Sequence, residues 1–575
     1  MIYRNEHPNP NFKRENYIIL NGEWDFDFDF GNSGKDRKLF SADSVFSKKI
    51  NVPFCPESEL SGINYKDFMA AVWYKRTVNI TKEQLSGRAF IVFGAVDFHA
   101  SVYINGQLAG EHFGGYTSFR IDATDYLKEG ENVITVCAQD DTRSPLQARG
   151  KQSELYYSHA CDYTRTTGIW QTVYMEFCPN AYIKNVKYFP NISNSSLTIT
   201  ADTVGHGTFT AKAFWDGKEV GAATSEVLGQ TVSVTVELTE KHLWEVGKGG
   251  LYSLELTFGD DKVCSFFGLR EVCLEDGVCK INGKPVFQRL ILDQGFYPDG
   301  IYTAPSKEAL KEDILMSMRV GFNGARLHQK IFEPLFLHYC DELGYIVWGE
   351  HGNWGADHTN FESLRYYLLE IEEEIERDFN HPSIIGWCPY NETWDIDGRK
   401  QDDDILKIVY RTVKTIDKTR PCIDTSGNFH VETDIFDVHD YDQDYNAFRS
   451  NYEKLLTENT LHDRHNQRQT WKGEPVFVSE YGGIRIDLDA ANSVENDSET
   501  HWGYGDAAKS FEEFYTRYKG LADALLDNPK IMGFCYTQLT DVEQELNGIY
   551  NYDRTEKFDS KILYDINTKV AAIEK

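Results

Sequence analysis

At about residue 275 the hydrophobic period of the chain changes, and that change constrains the fold more than any other feature. Downstream, short apolar runs that read as strands alternate with amphipathic helical stretches. The strand candidates are "VFQRLILD" (286–293), "GARLHQ" (324–329), "YIVWGEH" (345–351), "IIGWCPYNE" (384–392), "PCIDTS" (421–426), "IFDVHDY" (435–441), "PVFVSEYGG" (475–483) and "IMGFCYTQL" (531–539). Helical segments separate most of them. "SKEALKEDILMSMRVG" opens on a serine cap, and "SLRYYLLEIEEEIERDF" is strongly amphipathic. The gap between the fifth and sixth candidates is too short for a regular helix. Eight β/α repeats in this span predict a (β/α)8 barrel over 271–575. A doubly wound open sheet is the alternative, but eight parallel strands so spaced close more readily than they lie open.

Upstream the pattern is β throughout. Residues 1–178 carry short alternating strands such as "YINGQLAG" and "GENVITVCAQ", with Asn-Gly and Glu-Gly-Glu turn signals, and predict a jelly-roll sandwich. Residues 179–270 continue with "SLTITADTV", "GTFTAKAFW", "TVSVTVELT" and "LYSLELTF", period-two runs that fit a small immunoglobulin-like sandwich. A length of 575 residues is too great for one core, as three domains require. The longest polar loop, 484–507, is expected to be mobile or lid-like.

The net charge of −31 argues against nucleic acid and anionic membranes as partners. No run approaches the roughly 20 apolar residues of a membrane span. The first residues, "MIYRNEHPNPNFKREN", lack the apolar core of a signal peptide, so a cytoplasmic protein is expected. The 11 cysteines form no C-x-x-C pair, and most sit in apolar runs, which reads as buried reduced thiols. Aromatic residues are high at 14%. Large β cores account for that, and stacking on the apolar face of a sugar is the functional alternative.

In a (β/α)8 barrel the chemistry gathers at the C-terminal ends of the strands. Glu392 closes the fourth candidate and Glu480 lies near the end of the seventh. One strand-end glutamate usually caps a helix or pairs with a lysine. Two, each following a buried apolar run and facing one barrel mouth, suit glycoside hydrolysis, where one carboxyl gives a proton and the other attacks the anomeric carbon.

The whole chain resembles glycoside hydrolase family 2. In the N-terminal third, "LNGEWDFDFD", "VWYKRTVNI", "VDFHASVYINGQLAGEHFGGYTSF" and "TTGIWQTVYME" look like that family's sugar-binding jelly roll. In the barrel, "INGKPVFQRL", "GFNGARLHQKIFEPLFLHYCDELGYIVWGE", "RDFNHPSIIGWCPYNETW" and "VSEYGG" are similar to it in the same order. The resemblance implies a retaining, exo-acting mechanism through a covalent glycosyl-enzyme. Glu392 matches the general acid/base, Glu480 the nucleophile, and Asn391 the residue that holds the sugar 2-hydroxyl. Glu392 is expected to have a raised pKa while Glu480 is ionised. Arg326 resembles the arginine that orients the nucleophile, with a structural salt bridge as the competing role. The family forms oligomers, which extends to this chain as an expectation without a subunit number.

Other candidates follow from strand register. His328 and His439 point to the mouth if the register holds. Asp293 ends the first strand and either binds sugar hydroxyls or caps a helix. Trp354 and Trp394 lie on loops where they either stack on sugar or pack. Tyr441 and Tyr481 are candidate hydrogen-bond donors to Glu480 or substrate, and Gln538 and Asp541 follow the eighth strand, where substrate contacts are expected.

The chain also departs from its relatives. β-Glucuronidases of the family carry an Asn-x-Lys signature whose lysine holds the substrate carboxylate. Here "QELNGIYNYDR" puts Glu545 and Asn547 at those positions, so an acidic residue faces a uronate. The Asn-Thr-Lys at 567–569 lies in the terminal helix and is taken as chance. Large β-galactosidases carry a Glu-x-His metal pair after the third strand. "WGEHGNWGADH" lacks that spacing, so neither metal nor cofactor is expected. Those enzymes also continue past the barrel. Thr537 and Gln538 stand where many relatives have Trp-Asn. The leading expectation is a β-galactosidase-like retaining exo-glycosidase acting on small glycosides. A β-D-galactofuranosidase or α-L-arabinofuranosidase is the alternative, and β-glucuronidase and β-mannosidase are disfavoured. A non-catalytic carbohydrate-binding protein is the reading from another class.

Overall fold

The computed structural model describes residues 3–488 and 500–575. Its N-terminal part is a sandwich of a four-stranded and a six-stranded antiparallel sheet. Long strands such as Ala71–Ile80 and Gly130–Gln139 pair along their whole length. Trp24, Phe26, Ile91, Val102 and Val136 fill the space between the sheets. A three-stranded and a four-stranded sheet follow, again face to face. Thr231–Glu237 alternates strictly between exposed and buried positions, as a strand with one face on a core must.

The C-terminal part is a curled parallel sheet. Its spatial order is Ile384–Cys388, Ile346–Glu350, Gly324–Leu327, Gln288–Asp293, Ile531–Thr537, Val476–Gly482 and Phe436–Asp440. Helices cover its outside. The helix Lys307–Arg319 starts where Ser306 accepts a hydrogen bond from the Ala309 N–H, the cap its sequence announces. The segment 421–426, expected as the fifth strand, is not a full strand. It joins the barrel through two parallel bridges, Trp387 to Cys422 and Asn391 to Ser426. Asp424 turns aside to accept the Val431 and Glu432 N–H groups, and only nine residues separate Ser426 from Phe436. A parallel crossover needs a dozen or more. The gap to Phe436–Asp440 is closed instead by side chains: the Ser426 hydroxyl donates to Asp437 at 2.5 Å.

Of the loop 484–507, residues 489–499 lie outside the described residues. Its two described ends pair, Ile484–Ile486 with Tyr504–Ala508. No helix of the described residues is long and apolar enough to cross a membrane. All 11 cysteines are unpaired thiols, most of them buried.

One connection decides the site. The jelly-roll loop 140–166 reaches onto the barrel mouth. Arg149 N–H donates to the Trp354 carbonyl at 2.7 Å, Thr164 N–H to Glu543 at 3.0 Å, and Tyr163 hydroxyl to Glu545. The wall of the barrel mouth is therefore partly built from the other end of the chain.

Candidate active site

Glu392 and Glu480 reach the mouth by different routes. Glu480 lies inside Val476–Gly482, where alternation turns it inward. Glu392 lies four residues beyond the last residue of Ile384–Cys388, past Pro389, and adopts a left-handed backbone with φ of 51°. A non-glycine residue there is strained, and such strain gathers where surrounding contacts fix a functional side chain. The fixing contacts are visible. Asn391 N–H donates to Asn353 at 2.8 Å, Asn353 donates back to the Asn391 carbonyl at 3.0 Å, and Glu392 N–H donates to the Ser426 carbonyl at 3.0 Å.

The two carboxylates converge on His439. Its Nδ1 is 2.7 Å from Glu392 Oε1 and 3.4 Å from Glu480 Oε2, and carboxylate oxygens of both glutamates and the ring lie within 4.8 Å of one another. The other ring nitrogen is 3.0 Å from the Ser426 hydroxyl. Gly427 makes room for this ring: its φ is +88°, and a Cβ there would come within 2.5 Å of His439 Cγ.

Arg326 is fully buried behind the pair. It donates to Glu480 at 3.2 Å, to the Ser479 carbonyl at 2.8 Å, to Asn391 Oδ1 at 2.9 Å and to Glu350 at 2.6 Å. One guanidinium thus sets the position of Glu480 and the orientation of the Asn391 amide. Glu350 balances its charge. His328 Nδ1 lies 2.8 Å from Glu350 Oε1, out of line for a hydrogen bond, and burial holds this imidazole below its ordinary value despite that neighbour. Tyr441 donates its hydroxyl to Glu480 Oε2, and its ring lies flat on Tyr504 at 3.5 Å.

The electrostatics invert one expectation. Burial alone would raise Glu392, but His439 at hydrogen-bonding distance, then the charges of His439 and Lys151, bring it down to about 2. His439 moves up: burial opposes its charge, and Glu480 and Glu392 together outweigh that. His439, 2.7 Å from Glu392, thus offsets the rise that the like charge of Glu480 alone would cause, and the two groups share one proton site. Glu480 is held below the carboxylate range, because His439 and Arg326 outweigh its burial.

The remaining candidates divide. Trp354 is half-buried at the mouth, with its indole N–H on the Asn391 carbonyl at 3.2 Å. Trp394 is 46% exposed and stands steeply against the rings of Phe429 and His465. Gln538 is buried, accepts from Gln294 at 2.7 Å and donates to Asn547 at 3.0 Å. Three residues are directed elsewhere. Tyr481 follows Glu480 along the strand and so turns outward, packing on Phe534, Tyr536 and Phe448. Asp541 is paired with Lys557 at 2.8 Å. Asp293 accepts from Gly295 N–H at 2.9 Å and stands near Asp313, and burial with that neighbour pushes it up to about 7. The Gly295 N–H lies in the loop after the strand, so the contact is neither a sugar contact nor the helix cap named as the competing role.

Several residues at the mouth were not singled out from sequence. Glu350 is the last residue of a barrel strand, and that position was its signal. Tyr504 lies in the loop expected to be lid-like. Lys151 and Tyr163 come from the jelly roll, and nothing local to them announces the barrel. The cluster Glu392, His439 and Glu480 has the donor types for a metal ion. The same geometry, with His439 2.7 Å from Glu392 and 3.4 Å from Glu480, suits an acid–base set equally.

Comparison with known proteins agrees with this architecture. Residues 18–179 match the model for the glycosyl hydrolases family 2 sugar binding domain, and residues 274–564 match that for the family 2 TIM barrel domain. A beta-galactosidase of Thermoanaerobacterium thermosulfurigenes is 27% identical over 431 residues, 70% of this chain and 57% of that protein. A beta-galactosidase of Thermoanaerobacter pseudethanolicus is 26% identical over 377 residues, 62% of this chain and 48% of that protein. The chain spans about half the length of these curated relatives. Among solved structures, the b-glucuronidase of Ruminococcus gnavus in complex with D-glucuronic acid superposes with a TM-score of 0.79 at 18% identity, covering 98% of this chain and 99% of that one.

Proposed function

This chain belongs to glycosyl hydrolase family 2, and we propose that it is a retaining exo-acting glycoside hydrolase of the β-galactosidase-like kind. The observation that carries the reading is the approach of Glu392 and Glu480, with carboxylate oxygens within 4.8 Å across His439. Retaining enzymes hold their carboxyl groups about 5–5.5 Å apart, and inverting enzymes leave about 6.5–9.5 Å for a water. The close spacing favours direct attack by a carboxylate.

In this reading Glu480 is the nucleophile. Its depressed pKa keeps it ionised, and Arg326 and Tyr441 aim it. Attack on the anomeric carbon forms a glycosyl ester as the aglycone oxygen leaves. Glu392 delivers the proton that oxygen needs, drawing it from His439. Once Glu480 is esterified its charge is gone. Glu392 then takes a proton from water, and the hydroxide oxygen attacks the same carbon to release the sugar and restore Glu480. The Asn391 carbonyl oxygen of the side chain is occupied by Arg326, which leaves its amide N–H groups for the sugar 2-hydroxyl. That contact strengthens as the oxocarbenium-like transition state forms.

A purely sugar-binding role leaves the strained Glu392 backbone and the shared proton unexplained. Glu545, in the wall of the mouth, stands against a uronate. The test is a panel of 4-nitrophenyl glycosides: β-galactopyranoside, β-galactofuranoside, α-L-arabinofuranoside, β-mannoside and β-glucuronide. Release from the β-galactopyranoside at kcat/KM at least tenfold above the others is expected. A furanoside preferred by that margin would replace the galactosidase assignment, and no release from any would remove the glycosidase reading.

A further inference from the structure

Behind His439 runs a line of buried polar groups that the bond-breaking steps leave unused. Asp437 and His439 lie two apart on the strand Phe436–Asp440 and so share one of its faces. The Ser426 hydroxyl bridges them, 2.5 Å from Asp437 Oδ2 and 3.0 Å from His439 Nε2. The Ser479 hydroxyl also donates to Asp437 Oδ2, and the Gly427 N–H does so at 3.2 Å. On the far side of Asp437 stands the buried ring of His430. Its Nε2 is 2.9 Å from the Asp437 carbonyl oxygen and 3.1 Å from Asp437 Oδ1. Its Nδ1 is 2.7 Å from Asp424 Oδ1.

The chemistry of each partner places the protons along this line. Both nitrogens of His430 face oxygens that only accept, so both carry a hydrogen and the ring is a cation. Burial opposes that charge, and Asp424 with Asp437 outweighs it, holding His430 well above its ordinary value. The cation in turn keeps Asp437 ionised: burial alone would raise this carboxyl, and His430 foremost brings it down to about 2. A hydroxyl has one hydrogen to give, and the Ser426 hydrogen goes to the carboxylate at 2.5 Å. What Ser426 offers His439 is then a lone pair, so Nε2 must bring the hydrogen to that contact. The other nitrogen, Nδ1, is the one 2.7 Å from Glu392 and 3.4 Å from Glu480.

We propose that Asp437, with His430 as its counter-ion, is a positioning residue that acts through Ser426 to hold a hydrogen on His439 Nε2, so that the proton His439 shares with Glu392 moves only through Nδ1. Two carboxylates face Nδ1 and favour an N–H there. Without the Ser426–Asp437 line the neutral ring would settle with its hydrogen on Nδ1 and Nε2 bare. It would then present an N–H to Glu392 at all times and could not take back the proton that Glu392 draws from water. The consequence for catalysis rests on the glycosidase reading above; the tautomer does not.

The test reads the tautomer and its consequence separately. In wild type labelled with 15N-histidine, the His439 ring signals, assigned by their loss in His439→Gln, are followed by NMR as the pH is raised. Nδ1 loses its hydrogen and Nε2 keeps it; a ring that gives up the Nε2 hydrogen first overturns the proposal. Asp437→Asn and Ser426→Ala are then compared with wild type on two glycosides of whichever sugar the panel above selects. The methyl glycoside needs its leaving oxygen protonated, and the 2,4-dinitrophenyl glycoside does not. Each substitution lowers kcat/KM for the methyl glycoside by about 10- to 100-fold, within what general acid catalysis supplies, and for the dinitrophenyl glycoside by less than about threefold. A merely structural loss falls on both substrates alike. Equal losses, or a change of less than about twofold on the methyl glycoside, overturn the proposal. Melting temperatures check folding. Asp437→Asn strips His430 of its counter-ion; if it does not fold, Ser426→Ala, which leaves both charges in place, decides. If the ring stays doubly protonated wherever the protein is folded, the kinetic comparison decides. If no glycoside is hydrolysed, the glycosidase reading fails by itself, and the labelled ring still decides the tautomer.

Discussion

Replacing Glu480 by glutamine lowers kcat on an activated aryl galactoside by about four to six orders of magnitude while the fold is kept. The side chain is isosteric, so Tyr441 still finds an acceptor and Arg326 still has the Ser479 carbonyl, Asn391 and Glu350. What is lost is the nucleophile. An amide does not form the glycosyl ester, and no other described carboxylate stands beside His439 to replace it except Glu392, which is committed to the leaving group. Stopped-time assays with melting curves on the same preparation measure both halves. A variant within tenfold of wild type would remove Glu480 from the mechanism.

The second large effect separates the two chemical steps. Glu392→Ala slows hydrolysis of an alkyl or sugar aglycone by about 10²- to 10⁴-fold, the usual contribution of a general acid. A 2,4-dinitrophenyl aglycone leaves without protonation, so its first step is nearly unaffected. The ester on Glu480 then waits for a base, and both kcat and KM fall. Azide, which needs no base, restores turnover and forms the glycosyl azide of unchanged anomeric configuration. The pH profile follows from the signs of the shifts. Glu480 is depressed, so its charge persists down to unusually low pH and the acid limb lies below the ordinary carboxylate range. His439 is raised from 6.5, so the proton it shares with Glu392 persists upward and the basic limb lies above that value. That limb belongs to the pair rather than to either residue. In Glu392→Ala it flattens for the dinitrophenyl substrate. An unchanged limb, or no azide rescue, would place the acid elsewhere.

What the sequence made legible was whatever a strand carries to its own end. Glu480 and Arg326 sit within or at the close of apolar parallel runs, and the barrel brings them together because all its strands point one way. Asn391 and Glu392 were read by the same rule although the strand stops at Cys388, because the peptide after Pro389 continues toward the same mouth. The rule misled at Tyr481, where one residue of register is the difference between the mouth and the helix layer. Asp541 was lost to Lys557, an ion pair formed across a loop that no local pattern announces. The raised pKa assigned to Glu392 considered Glu480 alone and left out His439, whose position depends on Gly427 and Ser426. Lys151 and Tyr163 precede the barrel by more than a hundred residues, and only the docking of loop 140–166 shows that they belong to the site.

The most direct test is stereochemical. Proton NMR of the reaction mixture within the first minutes, before the free sugar mutarotates, reports which anomer is formed first. Cleavage of an aryl β-galactoside by two successive displacements at one carbon gives β-galactose first, and that is the predicted spectrum. If the α-anomer appeared first, water would be the direct attacking group, and the assignment of Glu480 as nucleophile would be contradicted.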